Sequence, residues 1–263
     1  MPLTIDHYFV GKSYMVDSMI REKRHDREGV EILQLDHLEE NGRPCIRTKK
    51  IYHLKSQIPE AIRWAVPDKY LHFHEESVNN WPHIVTIDRV PGLGEDFMLE
   101  CESDHIDYYA GMPMPDNPVG LPSEQLAMRE VVYLDILGDS VAPDPPEIAL
   151  EGFLCPEVGI ALPLHASEAG TRDESLPPKW TQTYEGPMIC VCKVVKLHFK
   201  WFGLQTLVNN VAFGFFYPKL FTNSHRKLLH WAPQWVHMSK EDLIAMEQET
   251  IATQGDDFER DED

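Results

Sequence analysis

The sequence predicts an α+β fold built on a curved, largely antiparallel β-sheet. Segments rich in Val, Ile and aromatic residues alternate with turn signals in the first half of the chain, whereas helical spacing of apolar residues dominates after residue 203. Strands that come first and long helices that come late are typical of this fold class. The 263 residues suffice for one large domain or two small ones and can bury a sizeable core.

The strand predictions rest on alternating or continuous apolar residues and on a high content of β-branched and aromatic side chains. A turn signal at residues 39–42 separates the first two strands. A short helix is predicted over residues 59–66, since proline suits its first position and Pro67 ends it. The predicted strands are residues 29–38, 44–54, 83–90, 97–102, 130–137 and 189–201.

The second half of the chain combines an irregular segment with helices. Residues 111–178 hold eleven of the twenty prolines, which predicts a long irregular excursion between strands. Residues 203–235 have a helical pattern that an internal glycine and proline should break or kink. Ser239 and Asp242 have capping-box spacing, so a last helix is predicted from Ser239 to about residue 253, before an acidic tail at residues 255–263.

The composition excludes several classes of protein. With 24 Lys and Arg against 43 Asp and Glu, the formal net charge of −19 argues against nucleic-acid binding, which depends on phosphate neutralisation. No apolar run approaches the ~18–20 residues that cross a bilayer, and the first 14 residues do not resemble a secretory signal. Five cysteines without a CxxC motif favour neither a disulfide framework nor a zinc site. We therefore expect a soluble, cytoplasmic protein.

The charge is unevenly distributed along the chain. Residues 193–240, here called the basic aromatic stretch, contain seven Lys and Arg, ten aromatic residues and no Asp or Glu. A membrane headgroup layer attracts this combination, because the cations are drawn to anionic lipid and the rings settle at the interface. A pair of core helices with solvated lysines would have the same composition, so both interpretations remain open at this point.

Two patterns place polar side chains among apolar ones. On the strand at residues 44–54, alternate residues share a face, so Thr48 and Lys50 lie in a row of apolar side chains. On the last helix, Glu247 falls near the middle of an apolar arc. Such groups are costly to bury without partners. Either they reach water at an edge, or they hold a polar ligand inside an apolar interior.

Motifs for catalysis and metal binding are weak. His72 and His74 have the spacing of metal ligands on a strand, but no HExxH motif or carboxylate partner follows, which favours a structural role. No GxSxG motif occurs, and Cys190 and Cys192 alternate within an apolar strand as packed thiols would. The sequence therefore predicts no catalytic residue and no metal ligand, and we expect a protein that is not an enzyme.

Several groups of residues form an ordered set from about residue 8 to residue 250. They are Ile51-Tyr52-His53-Leu54; His74-Glu75 with Asn79 and Trp81-Pro82; Phe199-Lys200-Trp201-Phe202-Gly203-Leu204-Gln205; Phe221-Thr222-Asn223 with His225-Arg226; and Met246-Glu247 with Glu249-Thr250. The set resembles the phosphatidylinositol transfer proteins, and is closest to their soluble single-domain class.

The resemblance implies a START-like helix-grip fold in which a curved, mostly antiparallel sheet and long helices enclose a lipid cavity. It implies one domain over residues 1–263, with a Pro-rich regulatory-type loop at about residues 104–185. The expected activity is exchange of one phosphatidylinositol or phosphatidylcholine molecule between membranes, by a monomer that contacts membranes transiently. The only bound group expected is the phospholipid cargo, with no cofactor. The segment at residues 59–66 and the last helix are the expected lid.

The resemblance also assigns roles to individual residues. Lys12 and Ser103 stand at two further headgroup positions, where the family has Gln and Thr. Trp201 and Phe202 replace a Trp-Trp pair that docks to membranes. The residues identical to the family's headgroup site are Thr48, Lys50, Asn79, Thr86, Lys193 and Glu247.

Three functions compete at this point. The first is phospholipid transfer, which the ordered set favours. The second is a lipid sensor that keeps its lipid and acts through protein partners, using the excursion at residues 111–178. The third is a lipid-modifying or metal-dependent enzyme, which would form a product or hold a metal.

Overall fold

A computed structural model describes residues 1–22, 29–40, 42–53, 67, 70–137, 148–150, 153–161, 175–201 and 203–254. The chain forms two compact units, each assembled from three segments. The first unit comprises residues 1–16, 105–191 and 215–243, and the second comprises residues 17–104, 192–214 and 244–263. The prediction of a single domain stays a prediction.

The secondary structure mixes strands and helices throughout the described residues. The strands are β1 (Gly29–Glu40), β2 (Arg43–His53), β3 (His72–Asn80), β4 (His83–Arg89), β5 (Phe97–Tyr108), β6 (Leu154–Cys155), β7 (Ile160–Ala161) and β8 (Met188–Phe199). The α-helices are α1 (Ile5–Glu22), α2 (Ser123–Met128), α3 (Gln205–Val211), α4 (Tyr217–His230), α5 (Ala232–Trp235) and α6 (Lys240–Thr253). A π-helix at Ala212–Phe216 joins α3 to α4, and short 3₁₀-helices lie at Pro91–Asp96, Pro156–Val158 and Lys179–Gln182.

The main sheet has six strands in the order β1-β2-β3-β4-β5-β8, and the pairings from β1 to β5 are antiparallel. Gly42 has a φ of 74°, which suits glycine in the tight turn between β1 and β2. A β-bulge between Ile32 and Gln34 shifts the register of β1 against β2 by one residue. Bulges bend a strand and increase its twist, which contributes to the curvature of this sheet. The predicted α+β class with a curved antiparallel sheet, as in the START-like helix-grip fold, is confirmed.

The first unit is stabilised by buried side chains of its N-terminal and C-terminal helices. The Trp235 ring is fully buried, and its Nε1 donates a hydrogen bond to the Leu228 carbonyl oxygen at 2.8 Å. A Cβ atom on Gly11 would lie 2.8 Å from that ring, so only glycine allows this close packing. Tyr8 is also buried, with its hydroxyl 2.9 Å from His225 Nε2.

The second unit has an aromatic cluster where β3, β5 and β8 meet. The rings of Phe73 and Phe97 make an edge contact at 5.5 Å between centroids, and Phe97 contacts Phe199 at 6.2 Å. Trp201 continues the cluster through Phe199 at 6.3 Å and Tyr70 at 5.3 Å. Edge contacts of this kind contribute beyond the area that they bury.

Most predicted elements agree with the structure. The strands predicted at 29–38, 44–54, 83–90, 97–102 and 189–201 correspond to β1, β2, β4, β5 and β8. The last helix is confirmed together with its capping box, in which the Ser239 and Asp242 side chains each accept a hydrogen bond from the other's backbone N–H, at 3.1 and 2.8 Å. The interruption of the helical pattern in residues 203–235 is the π-helix.

One strand prediction is wrong, and several elements, among them α2, β6 and β7, had no prediction. Residues 130–137 form no strand; Val131 and Val132 are exposed, and Asp135 anchors the segment by accepting a hydrogen bond from Trp180 Nε1 at 3.1 Å. Helix α1 and strand β3 were not predicted. The helix predicted at 59–66 and the acidic tail lie outside the described residues.

The described residues give two further findings. None of the helices in the described ranges is long and apolar enough to cross a membrane. All five cysteines are free thiols, two of them buried.

Candidate polar ligand site

The register of the sheet brings most of the predicted headgroup residues onto one face of the second unit. Alternate residues of a strand share a face, and directly opposed residues of neighbouring strands project to the same side. Three rows therefore cross β2, β3, β4 and β5 in parallel. The rows are Lys50–Glu75–Asp88–Leu99, Thr48–Ser77–Thr86–Cys101 and Ile46–Asn79–Ile84–Ser103.

Lys50 forms a buried ion pair with Glu75. The Lys50 Nζ donates to Glu75 Oε1 at 2.7 Å, and the two side chains are only 10% and 12% exposed. The Tyr52 hydroxyl donates to the second oxygen, Oε2, also at 2.7 Å. The pair sits next to the aromatic cluster, because Tyr52 opposes Phe73. Each carboxylate oxygen of Glu75 is thus engaged by a donor from β2.

Asp88 opposes Glu75 from β4 and adds a second carboxyl group to the row. Burial and the negative charge of Glu75 together raise the pKa of Asp88 to about 7, against the opposing effect of Lys50. Burial also raises the pKa of Tyr52 well above its usual value, with both carboxylates adding to the effect. The Lys50 ammonium group is therefore the neighbouring cation of two carboxyl groups, those of Glu75 and Asp88.

The second and third rows contain buried polar atoms that lack partners. Among the described side chains, Thr48 Oγ1 and Asn79 Oδ1 are buried and make no hydrogen bond. The hydroxyls of Ser77 and Thr86 share one at 3.0 Å. A buried polar atom without a partner costs about 1–3 kcal/mol. Thr48 and Asn79 are therefore suited to a ligand that supplies the missing hydrogen bonds.

Lys193 adds a second cation to this face from β8. Its Nζ donates at 3.1 Å to the Oγ of Ser103, which belongs to the row that contains Asn79. Burial lowers the pKa of Lys193, with the nearby Cys101 thiol acting weakly in the opposite direction. An anion next to this lysine would favour its charged form, so the site is matched to a negatively charged ligand.

Glu247 comes from α6 and is held by β1. The His37 ring N–H donates to Glu247 Oε2 at 2.8 Å. Burial raises the pKa of Glu247, although its contact with His37 acts to lower it, as does Lys50 at longer range. His37 opposes Ile46, so it belongs to the same face of the sheet as the three rows.

A network of hydrogen bonds anchors the C-terminal part of α6. The Arg21 Nε donates to Asp17 Oδ2 at 2.8 Å and to Thr250 Oγ1 at 2.7 Å, and the Thr250 hydroxyl donates to Asp17 at 2.9 Å. Gln254 bonds the backbone of Ile32 on β1, accepting from its N–H at 2.9 Å. These contacts fix the position from which Glu247 projects.

Comparison with known proteins identifies the family. The phosphatidylinositol transfer protein family model matches residues 1–252. The phosphatidylinositol transfer protein beta isoform of Homo sapiens is 30% identical over 258 residues, covering 95% of this chain and 89% of the human protein. Phosphatidylinositol transfer protein 1 of Dictyostelium discoideum is 31% identical over 257 residues, with the same two coverages. The chain belongs to the phosphatidylinositol transfer protein family.

Family membership confirms the resemblance drawn from the ordered set of residues. The second unit contains all six residues predicted for the headgroup site, together with Ser103. Lys12 lies on α1 in the first unit. Trp201 is half-buried in the aromatic cluster, and Phe202 lies outside the described residues. The roles of these residues in headgroup binding and membrane docking stay predictions.

Four partners within this face were not predicted. They are His37, which holds Glu247; Tyr52 and Glu75, which hold the Lys50 pair; and Asp88. The alternation of Glu75, Ser77 and Asn79 could have revealed one polar strand face, had β3 been predicted. His37 and Asp88 had no signal of their own in the sequence, because their positions depend on strand register.

Proposed function

We propose that this protein carries one phospholipid between membranes and that the polar face of the sheet binds the headgroup of phosphatidylinositol. The observation that supports it most is the buried pair of unpartnered polar atoms, Thr48 Oγ1 and Asn79 Oδ1, on a face that also presents Lys50 and Lys193. Family membership favours this carrier function over the lipid sensor.

The chemistry of the face matches an inositol phosphate ester. Lys193 neutralises the phosphate, while the inositol hydroxyls supply hydrogen bonds to Thr48 and Asn79 and accept one from Lys50. Thr86 and Glu247 complete the set by exchanging their present partners for ring hydroxyls. Phosphatidylcholine has the phosphate but no ring hydroxyls, so it leaves these groups unpaired and depends on its acyl chains for binding.

Transfer without bond cleavage needs a place for the acyl chains. Two chains hold about 30 methylene groups, and exposing each costs about 0.8 kcal/mol, so a lipid crossing water alone faces roughly 24 kcal/mol. An apolar cavity that accepts both chains removes most of this cost. The protein works as a cytoplasmic monomer without cofactor or catalysis, and a lid that includes residues 59–66 and α6 opens at the bilayer.

Docking to the membrane depends on the basic aromatic stretch. Its exposed cations, Lys200, Lys219 and Lys240, approach anionic lipid, each contributing up to about 1 kcal/mol, and Trp201 and Phe202 enter the interface. The rest of the chain is strongly acidic, which opposes prolonged adhesion. A carrier must leave the membrane as well as reach it, so this balance suits repeated transfer.

Native mass spectrometry of the purified protein tests the cargo directly. After equilibration with vesicles of phosphatidylcholine that contain one tenth phosphatidylinositol, both lipids should appear bound, one molecule per protein. Glu247→Ala should lose bound phosphatidylinositol and keep phosphatidylcholine, whereas Glu241→Ala, at an exposed position of the same helix, serves as the matched control. A protein that holds no phospholipid under these conditions would refute the proposed function.

A further inference from the structure

We propose that Phe213, Phe215 and Lys219 provide a membrane-docking surface that enters the headgroup layer of a bilayer containing anionic lipid. The three residues lie on one continuous helix, made of the π-helix and the first turn of α4. This inference rests on the proposed function, because a carrier must contact membranes to exchange its cargo. It adds to that function a second docking element besides Trp201 and Phe202.

Pro218 explains why the helix changes its form at this point. Proline has no backbone N–H, so the Gly214 carbonyl oxygen, four residues earlier, cannot have its usual α-helical donor. The chain forms a π-helix over Ala212–Phe216 and continues as α4 from Tyr217. Turns of π-helix are rare and frequently occur at functional sites.

The two phenylalanine rings of this π-helix are exposed. Phe213 is 41% and Phe215 is 59% exposed, and no other phenylalanine among the described residues is exposed. Gly214 between them is exposed as well, and a Cβ atom on it would meet no other part of the described chain within 4 Å. Three consecutive helical residues span about 200° of the helix circumference, so this turn presents apolar rings to solvent on more than one side.

Trp201 is less suited to make the first contact with a membrane. Its ring is half-buried, and the distances between ring centroids are 5.3 Å to Tyr70 and 6.3 Å to Phe199. Insertion of Trp201 would have to break these ring contacts. Phe215 can enter a headgroup layer in the conformation that it already has, because more than half of its surface faces solvent.

A cation accompanies the more exposed ring. The exposed Lys219 places its Nζ 5.2 Å from the centroid of the Phe215 ring, four residues earlier. A second such pair follows on the same i, i+4 row, with Lys227 Nζ 5.1 Å from the centroid of the Trp231 ring. No Asp or Glu occurs in residues 193–240. The surface therefore matches an anionic headgroup layer, where rings occupy the interface and ammonium groups meet phosphates.

The same charges disfavour a second copy of the chain as the occupant of this surface. A two-fold contact is self-complementary, so it would bring the Lys219 side chains of both copies together. The basic aromatic stretch has no acidic residue that could offset their repulsion. A bilayer that contains anionic lipid supplies both the negative charge and the apolar layer, so it is the occupant that we assign.

Vesicle binding with and without the two rings tests the inference. The purified protein is centrifuged with vesicles of phosphatidylcholine, alone or with about one third phosphatidylserine as the anionic lipid. Phe213→Ser with Phe215→Ser should weaken binding to the anionic vesicles by about tenfold to hundredfold, because two rings no longer leave water. Tyr109→Ser, at a 66% exposed aromatic position outside the basic aromatic stretch, is the matched control and should bind as the unmodified protein does.

Two further variants test the charge and the contact separately. Lys219→Gln should weaken binding to anionic vesicles roughly fivefold and leave binding to phosphatidylcholine vesicles unchanged. Phe215→Trp keeps an aromatic ring, so it should retain binding, and brominated phosphatidylcholine should quench the fluorescence of the added indole. Tyr109→Trp is its control, and the fluorescence that it adds should escape quenching.

The outcomes separate the inference from the proposed function. Unchanged vesicle binding by the double serine variant overturns the inference, and so does equal quenching of Phe215→Trp and Tyr109→Trp. If the double serine variant loses self-association in place of vesicle binding, the surface belongs to a second copy and the inference is also overturned. Native mass spectrometry should still find one phospholipid in this variant, because its polar sheet face is intact. An unmodified protein that holds no phospholipid refutes the proposed function instead.

Discussion

Strands β2 and β3 carry two ion pairs in consecutive positions on opposite faces. Lys49 and Glu76 are 3.0 Å apart with side chains 52% and 57% exposed, whereas Lys50 and Glu75 are 2.7 Å apart and 10% and 12% exposed. An exposed pair of this kind contributes about 0–1 kcal/mol, because water screens it and its side chains lose entropy. A buried pair must instead offset the desolvation of two ions, so it is weak evidence for stability.

The comparison shows that the buried face of β2 and β3 contains groups that lower the stability of the protein and suit ligand binding. The exposed face holds a Lys–Glu pair that any surface could hold. The buried face adds Asp88 and the unpartnered polar atoms of Thr48 and Asn79, all of which are costly without a ligand. An anionic ligand rich in hydroxyl groups would offset this cost, because it would supply the hydrogen bonds that these groups lack.

The largest expected effect distinguishes the two lysines by stability. Lys50→Ala leaves Glu75 and Asp88 buried without a cation, so the free energy of unfolding should fall by about 3–5 kcal/mol at pH 8. Lys49→Ala should change it by less than about 0.5 kcal/mol. Urea denaturation of both variants measures the difference, and equal losses would contradict the contrast between the two faces.

The pH dependence of stability should differ between Asp88→Asn and the unmodified protein. The folded pKa of Asp88, about 7, lies above its ordinary value of 3.8. The protonated form is therefore favoured by folding, and the stability that Asp88 contributes at low pH is lost as the pH rises towards 7. Relative to the unmodified protein, Asp88→Asn should gain about 3 kcal/mol between pH 4.5 and pH 8. Thermal denaturation across this range measures the gain, and a pH-independent difference would argue against the raised pKa.

Thr48→Val should separate headgroup recognition from folding. It removes a buried hydroxyl that has no partner among the described residues, so the stability of the protein should stay within about 1 kcal/mol of its original value. The loss of one hydrogen bond to inositol should weaken phosphatidylinositol binding about tenfold relative to phosphatidylcholine. Competition between the two lipids in mixed vesicles provides the measurement. An unchanged lipid preference would remove Thr48 from the site.

The smallest effect concerns the rate of transfer rather than its selectivity. Replacing Trp201 and Phe202 together by Ala should slow transfer of both lipids by about threefold to tenfold, because less aromatic surface enters the interface. The ratio of the two lipids should stay constant. Fluorescence transfer assays with both lipids check it, with Val131→Ala as a control at an exposed apolar position. Unchanged rates would refute the docking role.

The sequence predicted most strands of the sheet, because alternating apolar and polar residues indicate which side chains of a strand are buried. It failed at β3, whose residues His72–Asn80 place polar Glu75, Ser77 and Asn79 on the buried face. A strand whose inner face is polar lacks the usual alternation, so the feature that marks the candidate site also concealed the strand. In the opposite case, residues 130–137 have strand-like composition but form no strand, and only residues 130–132 are exposed while Asp135 and Ile136 are buried.

The sequence could predict site residues that interrupt an apolar pattern. It could not predict residues whose place in the site depends on how neighbouring strands are aligned. Lys50 and Glu247 stand out because charge interrupts an apolar pattern. His37 faces the site only because the bulge after Ile32 shifts the register of β1, since simple alternation would direct Asp36 there instead. Asp88 likewise faces Glu75 only through strand register, and the charge of Glu75 adds to burial in raising the pKa of Asp88.

The most direct test of the buried face measures lipid selectivity in two matched double variants. Lys50→Met with Glu75→Gln removes the buried pair without leaving an uncompensated ion, and Lys49→Met with Glu76→Gln does the same on the exposed face. Transfer of radiolabelled phosphatidylinositol and phosphatidylcholine is measured for both. The first variant should lose at least about 90% of phosphatidylinositol transfer and keep phosphatidylcholine transfer, while the second should keep both. Equal phosphatidylinositol transfer by the two variants would contradict the assignment of this face to the headgroup.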